Sequence, residues 1–188
     1  MVLVPTMEIG IWNAWVFMSA FIFQMIVIMF AGKQISERSH IPNNAKKTIF
    51  EKYIGIIANL IWLVSLGYSI FLPLLLGTIW FYIGFSIFFL GLLILILSTL
   101  NFITTPINQI IQKGVYKFSR HPMYLSTFFI CIGSGIATGS GIFVLLSIII
   151  FLCFNCEALL EERYCFEEYK ELYKEYMQRV PMWIGIPR

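Results

Sequence analysis

Apolar positions fill five long blocks of this chain, and the polar positions collect between them. A run of about 20 apolar residues is long enough for a helix to cross a bilayer. Three blocks reach that length on their own: residues 11–31, residues 54–72 (closed by Pro73) and residues 79–102. The region from Met123 to Phe154 is apolar throughout and too long for one crossing. Gly133, Gly135, Gly139 and Gly141, with Thr138 and Ser140, interrupt it, and such clusters mark turns. The pattern therefore predicts two further helices, 123–137 and 142–163, paired as an antiparallel hairpin. The first of these would reach only about 22 Å, short of a hydrocarbon layer of about 30 Å. Its small residues Ser126, Gly133 and Gly135 would let it approach a neighbour closely.

Beyond the fifth block, residues 165–180 place Phe166, Tyr169, Leu172, Tyr173, Tyr176 and Val180 at spacings of three and four, and Pro181 closes the run. Glutamates and lysines fill the other positions, which predicts an amphipathic helix. It would either lie on the membrane surface or close over the spans as a lid. The expected fold class is an all-α integral membrane protein: five transmembrane helices, with spans four and five as a helical hairpin, and a C-terminal amphipathic helix. Residues 1–102 would form a three-span membrane bundle and residues 103–188 the functional core, within one cooperative domain.

Composition supports this class. The chain is 59% hydrophobic and 12% charged, about half the ~25% charge of soluble domains, too little to coat a water-facing globule. The first ten residues carry no Lys or Arg, so the basic start of a secretory signal is missing and the first block is expected to stay as a span. All 13 basic residues fall in three segments. Lys33, Arg38, Lys46, Lys47 and Lys52 lie between blocks one and two, and Lys113, Lys117 and Arg120 between three and four. Arg163, Lys170, Lys174, Arg179 and Arg188 close the chain. Positive charge favours the cytoplasmic side, so five crossings put the N-terminus outside and the C-terminus with the polar segments in the cytoplasm.

Metal and soluble-nucleotide chemistry find no foothold. Cys153 and Cys156 form a C-x-x-C inside an apolar helix, Cys131 and Cys165 are isolated, and His40 and His121 stand far off in sequence. A zinc site wants a second pair or nearby histidines, and buried thiols otherwise act as small hydrophobes. There is no Gly-rich dinucleotide fingerprint and no P-loop, and no nucleic-acid partner is expected.

The unusual chemistry lies in residues 114–124, GVYKFSRHPMY, at the start of block four. The antiparallel hairpin brings this run beside the end of block five, with Glu157, Glu161, Glu162 and Arg163; Glu157 and Glu161 share a helix face. Free N–H groups at a helix start favour an anion, and Lys113 and Arg120 add positive charge. Carboxylates accept hydrogen bonds from hydroxyl or ammonium groups, and aromatic faces stack on a ring or cover a cation. Two readings follow. One is an interfacial ion-pair network joining two helices. The other is a site for a compact ligand with a carboxylate, an amine, a ribose diol and a purine, a set that S-adenosylmethionine carries.

The segment GVYKFSRHPMYLS resembles the G-P-Y-x-x-x-R-H-P-x-Y-x-G motif of the isoprenylcysteine carboxyl methyltransferase family. Glu161–Glu162, Tyr169, Tyr173, Tyr176 and Val180–Pro181 are similar to that family's E-E, aromatic-glycine, Y-x-x-Y and V-P elements. The resemblance covers roughly residues 100–183, with Val115 in place of proline, Ser126 in place of glycine and Tyr169–Lys170 in place of Phe-Gly. In length the chain looks like a short prokaryotic relative, archaeal ones included.

The resemblance implies an S-adenosylmethionine-dependent methyltransferase, releasing S-adenosylhomocysteine at the cytoplasmic edge of the cell membrane (the endoplasmic reticulum in a eukaryote). Carried onto this chain, Lys113, Gly114, Val115, Tyr116, His121, Tyr124 and Leu125 would line the donor site. Glu161 would meet ribose or amine groups with Glu162 supporting it, and Tyr176 and Met177 would cover them. Arg120 or Arg163 would orient the acceptor carboxylate. The acceptor would be an isoprenylated cysteine or a similar lipid-linked carboxylate arriving from the bilayer, with neither a metal nor a general base required. A phospholipid or other lipid N-methyltransferase is the nearest rival and a membrane reductase a weaker one. A small transporter or structural bundle is disfavoured because the span interiors offer only isolated polar groups such as Gln24, Asn59, Ser65 and Ser86.

Overall fold

A computed structural model describes residues 2–38 and 47–186; His40, Lys46 and Arg188, named above, lie outside the described residues. Among the described residues the chain forms seven α-helices and no strand. They are α1 (Trp15–Phe30), α2 (Lys33–Arg38), α3 (Ile49–Ser69), α4 (Ile79–Ile103), α5 (Pro122–Ala137), α6 (Gly141–Tyr169) and α7 (Glu171–Arg179), with a 3-10 turn at Gly114–Lys117 before α5. Three helices, α3, α4 and α6, are long and apolar enough to cross a membrane. The apolar helices α1 and α5 have 16 residues each, about 24 Å at ~1.5 Å per residue. Side chains such as Phe23 on α1, Leu63 on α3, Leu97 on α4 and Leu152 on α6 are exposed, an apolar exterior suited to lipid.

The five apolar helices alternate in direction. The starts of α3 and α5 meet the far end of α6 at the charged end of the bundle, where Arg163 is paired with Glu51 and His121 with Glu162. At the opposite end the hydroxyl of Tyr68 lies 3.3 Å from that of Ser140, and the Leu75 N–H donates to the Ala137 carbonyl.

Three expected boundaries shift, the second block being helical over Ile49–Ser69 instead of 54–72 because the Thr48 capping box starts it earlier. The first apolar block becomes helical only at Trp15, because the residues before it form a strap across the opposite end. The Ala14 N–H donates to the Leu72 carbonyl at 2.8 Å, the Leu74 N–H to Trp12 and the Gly141 N–H to Val2. Buried Asn13 fastens the strap by donating to the carbonyls of Glu8 (2.6 Å) and Ile70 (2.7 Å). The fifth apolar helix does not stop at Arg163 but continues to Tyr169. The tail is therefore not one helix over 165–180. It divides at Lys170, whose φ of 50° and ψ of −123° turn the chain before α7. The break rotates the faces: Tyr173, Tyr176 and Val180 are buried, with Tyr169 and Cys165 packed beside them, while Phe166 and Leu172 point outward.

The closest helix approach is between α4 and α5. A Cβ at Gly84 would overlap the backbone of Gly133 and Ala137, and one at Gly91 would lie 3.0 Å from the Ser126 carbonyl oxygen. The small residues of α5 thus let two backbones touch, as in other membrane helix pairs. Below this seam Phe17 stacks on Phe88 with ring centroids 4.0 Å apart, tying α1 to α4.

Two stability predictions follow from this packing. Gly84→Ala should destabilise the detergent-solubilised protein by about 1–3 kcal/mol, the usual cost of overpacking, because the obstructing atoms are backbone. Gly67→Ala, with nothing within 4 Å, should be neutral or stabilising by up to about 1 kcal/mol. Equal melting shifts for the two would contradict the seam. Lys170→Gly should raise the melting midpoint by relieving a backbone conformation that costs a side-chain-bearing residue about 1–3 kcal/mol, less the ~0.5–1 kcal/mol entropic cost of glycine. A lower midpoint would show that the lysine side chain itself holds the break.

Candidate active site

The local sequence explains how the charged end is assembled. After α4 the chain returns to the bundle at Gly114, whose φ of 57° suits glycine. A Cβ there would also run into the Asn101 side chain, so the 3-10 turn sits directly on the end of α4. Lys113 anchors the approach by donating from Nζ to the Thr104 carbonyl at 2.9 Å. Ser119 then receives the His121 N–H on its hydroxyl (3.1 Å), and Pro122 opens α5.

Glu162 is the hub. Its carboxylate, 7% exposed, receives Arg120 Nε at 2.7 Å on Oε1, and His121 Nε2 lies 3.1 Å from the same oxygen. Arg120 Nη1 donates to the carbonyls of Met177 (3.0 Å) and Val180 (2.7 Å), closing the end of α7. The Arg120 backbone N–H adds a bond to the Pro181 carbonyl at 3.1 Å. Glu161 points the other way and is 34% exposed. Its Oε1 accepts from the Tyr124 hydroxyl at 2.6 Å, and its Oε2 lies 3.4 Å from His121 Nδ1. Tyr176 donates from its hydroxyl to the Tyr116 carbonyl at 2.7 Å, laying α7 over the 3-10 turn. Burial first of all pushes the phenols of Tyr173 and Tyr176 well above their ordinary range, so both stay neutral donors.

Both ring nitrogens of His121 face carboxylates. A neutral ring would aim one lone pair at an anion, so the doubly protonated ring is the form that fits. Burial opposes that charge, but the hydrogen bonds and charges of Glu161 and Glu162 outweigh it and raise the His121 pKa above 6.5.

The structure thus brings together the expected residues from the 3-10 turn, the start of α5, the end of α6 and α7. Leu125 is buried beneath His121, while Val115 and Met177 are half-buried at the margin. Arg163 stands apart from this hub, with its guanidinium on Glu51 of α3. Among the described residues no three His, Cys, Asp or Glu side chains gather closely enough to hold a metal ion.

Sequence reasoning missed several participants. Trp183 packs 6.1 Å from the His121 ring and 4.7 Å from Phe151, and its indole N–H donates to Asn155 at 3.3 Å. Its place just after Val180–Pro181 was the available signal. Asn101 was hidden because nothing local marks it. Glu51 was marked by its spacing from Thr48: the two form a reciprocal capping box at the start of α3, with the Thr48 N–H 2.7 Å from Glu51 Oε2. Beside the hub, a cavity of about 520 Å³ opens between α3, α5 and α6, walled by Lys47, Glu51, Gly55, Asn59, Tyr124 and Glu157. Tyr124 belongs to both places.

These features define an α-helical, membrane-type protein with an ionic site at one end of its bundle. Residues 83–172, just under half of the chain, match the family model described as phospholipid methyltransferase. The matched stretch runs from α4 into the start of α7 and holds the whole Arg120–His121–Glu161–Glu162 cluster, while Tyr176 and Met177 lie beyond it. No curated protein matches the chain. The match points to membrane methyl transfer onto a lipid-type substrate.

The His121 geometry has a pH consequence. With its pKa raised in the fold, the native chain holds more protons than the unfolded chain between about pH 6.5 and the raised value, so stability falls as pH rises through that window. The stability advantage of the wild type over His121→Gln should be complete below about pH 6.5 and shrink above it. Chemical denaturation of both proteins in detergent across that range measures it, and a gap independent of pH would show that the fold does not raise the ring's pKa.

Proposed function

We propose that this protein is an S-adenosylmethionine-dependent methyltransferase of a membrane, acting on a lipid-linked acceptor. The observation that carries the reading is the state of Glu161. It is a carboxylate held in place from two sides, by Tyr124 and His121, yet it keeps a third of its surface open beside aromatic walls. Each of its oxygens has a lone pair left for a ribose hydroxyl or an ammonium group. The rings of Tyr124 and His121 stack beside it with centroids 5.8 Å apart, and Tyr116, Tyr176 and Met177 stand at the same end of the bundle. These residues fit the donor's groups.

The donor supplies an electrophilic methyl on a sulfonium, so the chain's own work is alignment and exclusion of water. Glu161 fixes the donor. Glu162, 7% exposed and bonded through Oε1 to both Arg120 and His121, fixes Glu161's neighbours. Arg120 is committed to Glu162 and the end of α7, which makes it a positioning residue; Arg163, 46% exposed, is the arginine open to an acceptor. In the finer reading the acceptor is the carboxylate of an isoprenylated cysteine or a similar lipid, ionised near neutrality without a base. The charged end would face the cytoplasm, and the acceptor's apolar chain would arrive through the cavity between α3, α5 and α6. A lipid amine is a second reading. The observation in its favour is that Glu157 and Glu51 put carboxylates in the cavity wall, where an ammonium would be welcome. An amine must lose a proton before it attacks, so its methylation rate should rise with pH, whereas a carboxylate's should not.

Glu161→Ala should weaken binding of S-adenosylhomocysteine at least tenfold, the scale of a lost hydrogen bond to a charged group, while the protein stays folded with a modest fall in melting temperature from the lost Tyr124 and His121 contacts. Isothermal titration in detergent reads the affinity, and an unchanged value defeats the donor assignment. Incubating the protein with labelled donor and total membrane lipid, then identifying the labelled product, separates the two acceptor readings.

A further inference from the structure

We infer that Arg163 is an anion-binding site for the acceptor and that Glu51 is a resident carboxylate which the acceptor's anionic group displaces. The inference rests on the methyltransferase reading only in taking the incoming ligand to be the acceptor. The cavity between α3, α5 and α6 is walled at its charged end by Lys47, Glu51 and Lys52, and Tyr124 is the partition it shares with the Glu161 cluster. A group seated there is one aromatic ring away from the proposed donor position.

Glu51 does two jobs at the mouth of this cavity. Its Oε2 closes the capping box on the Thr48 N–H at 2.7 Å, and its Oε1 receives Arg163 Nη2 from α6. The pair therefore clips the start of α3 onto α6, with Glu51 in the cavity wall and Arg163 reached through it, outside the residues that line the cavity. Close by, a Cβ at Gly55 would lie 2.9 Å from Glu157 Oε1, so α3 rests against the α6 carboxylate with no side chain between them.

Arg163 is 46% exposed in this pair and Glu51 is 18% exposed. A partly solvated pair of this kind contributes little, so a competing anion can exchange with Glu51 at low cost. Arg120 could not serve in this way, because its guanidinium is one-tenth exposed and already donates to Glu162 and two carbonyls. A guanidinium suits a carboxylate or a phosphate equally, each through paired N–H donors. The ligand chemistry is therefore a monoanionic oxyacid on a lipid, from either a prenylcysteine carboxylate or a phospholipid phosphodiester. The Lys47 and Lys52 ammonium groups favour the same charge, against the Glu157 carboxylate that lines the same cavity.

Direct binding to the full-length protein in detergent tests this without requiring turnover. The probes are a prenylcysteine analogue with a free carboxylate, its methyl ester, and a short-chain anionic phospholipid. Glu51→Gln retains a capping acceptor for Thr48 but removes the competing charge. It should tighten the anionic probe about threefold to fivefold and leave the methyl ester unchanged. Tightening confined to the phospholipid assigns the site to a phosphate head group, and tightening confined to the free carboxylate assigns it to prenylcysteine. In an Arg163→Gln background the effect of Glu51→Gln should vanish. No tightening of either anion, or equal tightening with and without Arg163, overturns the inference. Affinity for S-adenosylhomocysteine, measured on the same variants, should stay at the wild-type value. Loss of donor binding in the wild type would instead count against the methyltransferase reading alone.

Discussion

The buried carboxylate of Glu162 is the constraint around which the charged end of the bundle is arranged. An ionised group that is 7% exposed must be paired, since an isolated buried charge is strongly unfavourable. Arg120 and His121 supply the pairing, and both come from the segment that opens α5. Arg120 then spends its remaining reach on the carbonyls of Met177 and Val180. One anion on α6 thereby fixes the entrance of α5 and the exit of α7. Breaking a pair of this kind by removing one partner typically costs about 3–5 kcal/mol, because the other charge is left buried and alone.

That knot can hold its geometry only if α5 does not slide. The glycine seam prevents it. Gly84 and Gly133 bring the α4 and α5 backbones into contact, and backbone atoms cannot move aside as a flexible side chain can. At the other end, the strap of residues 2–14 bonds to the loop after α3 and to the turn between α5 and α6, so the α5–α6 hairpin is held at both ends. A helix of 16 residues is thus fixed by its neighbours more than by its own length. Rigid placement matters for the chemistry proposed, since alignment is what such a site has to offer.

The features legible in the sequence were those set by local pattern. Block lengths and the glycine turn after Ala137 gave the alternating helices and gathered Arg120, His121, Glu161 and Glu162 at one end. The break at Lys170 was not legible, because lysine is a good helix former and the apolar spacing runs straight through it; tertiary packing of Tyr173 and Tyr176 overrides both. The resemblance had marked the position, since Lys170 stands where the family has glycine, and glycine is what its backbone angles favour. The part played by α3 was hidden for another reason. Arg163 meets Glu51 across 112 residues, and no periodicity reports a pair that distant.

The two arginines offered by the sequence differ in what their surroundings let them do. A buried guanidinium such as that of Arg120, donating to Glu162 and to two carbonyls, cannot change partners without weakening the pairing of Glu162, so it is suited to holding a site and not to releasing a product. A partly exposed pair such as Arg163 with Glu51 exchanges partners more cheaply, for the same physical reason that it adds less to stability. An enzyme that must grip a donor in fixed geometry and yet pass lipid acceptors in and out needs both kinds of contact. The division seen here, a buried inner knot behind Glu161 and a more loosely held outer pair between α3 and α6, meets that requirement with charges at three consecutive positions of one helix, Glu161, Glu162 and Arg163.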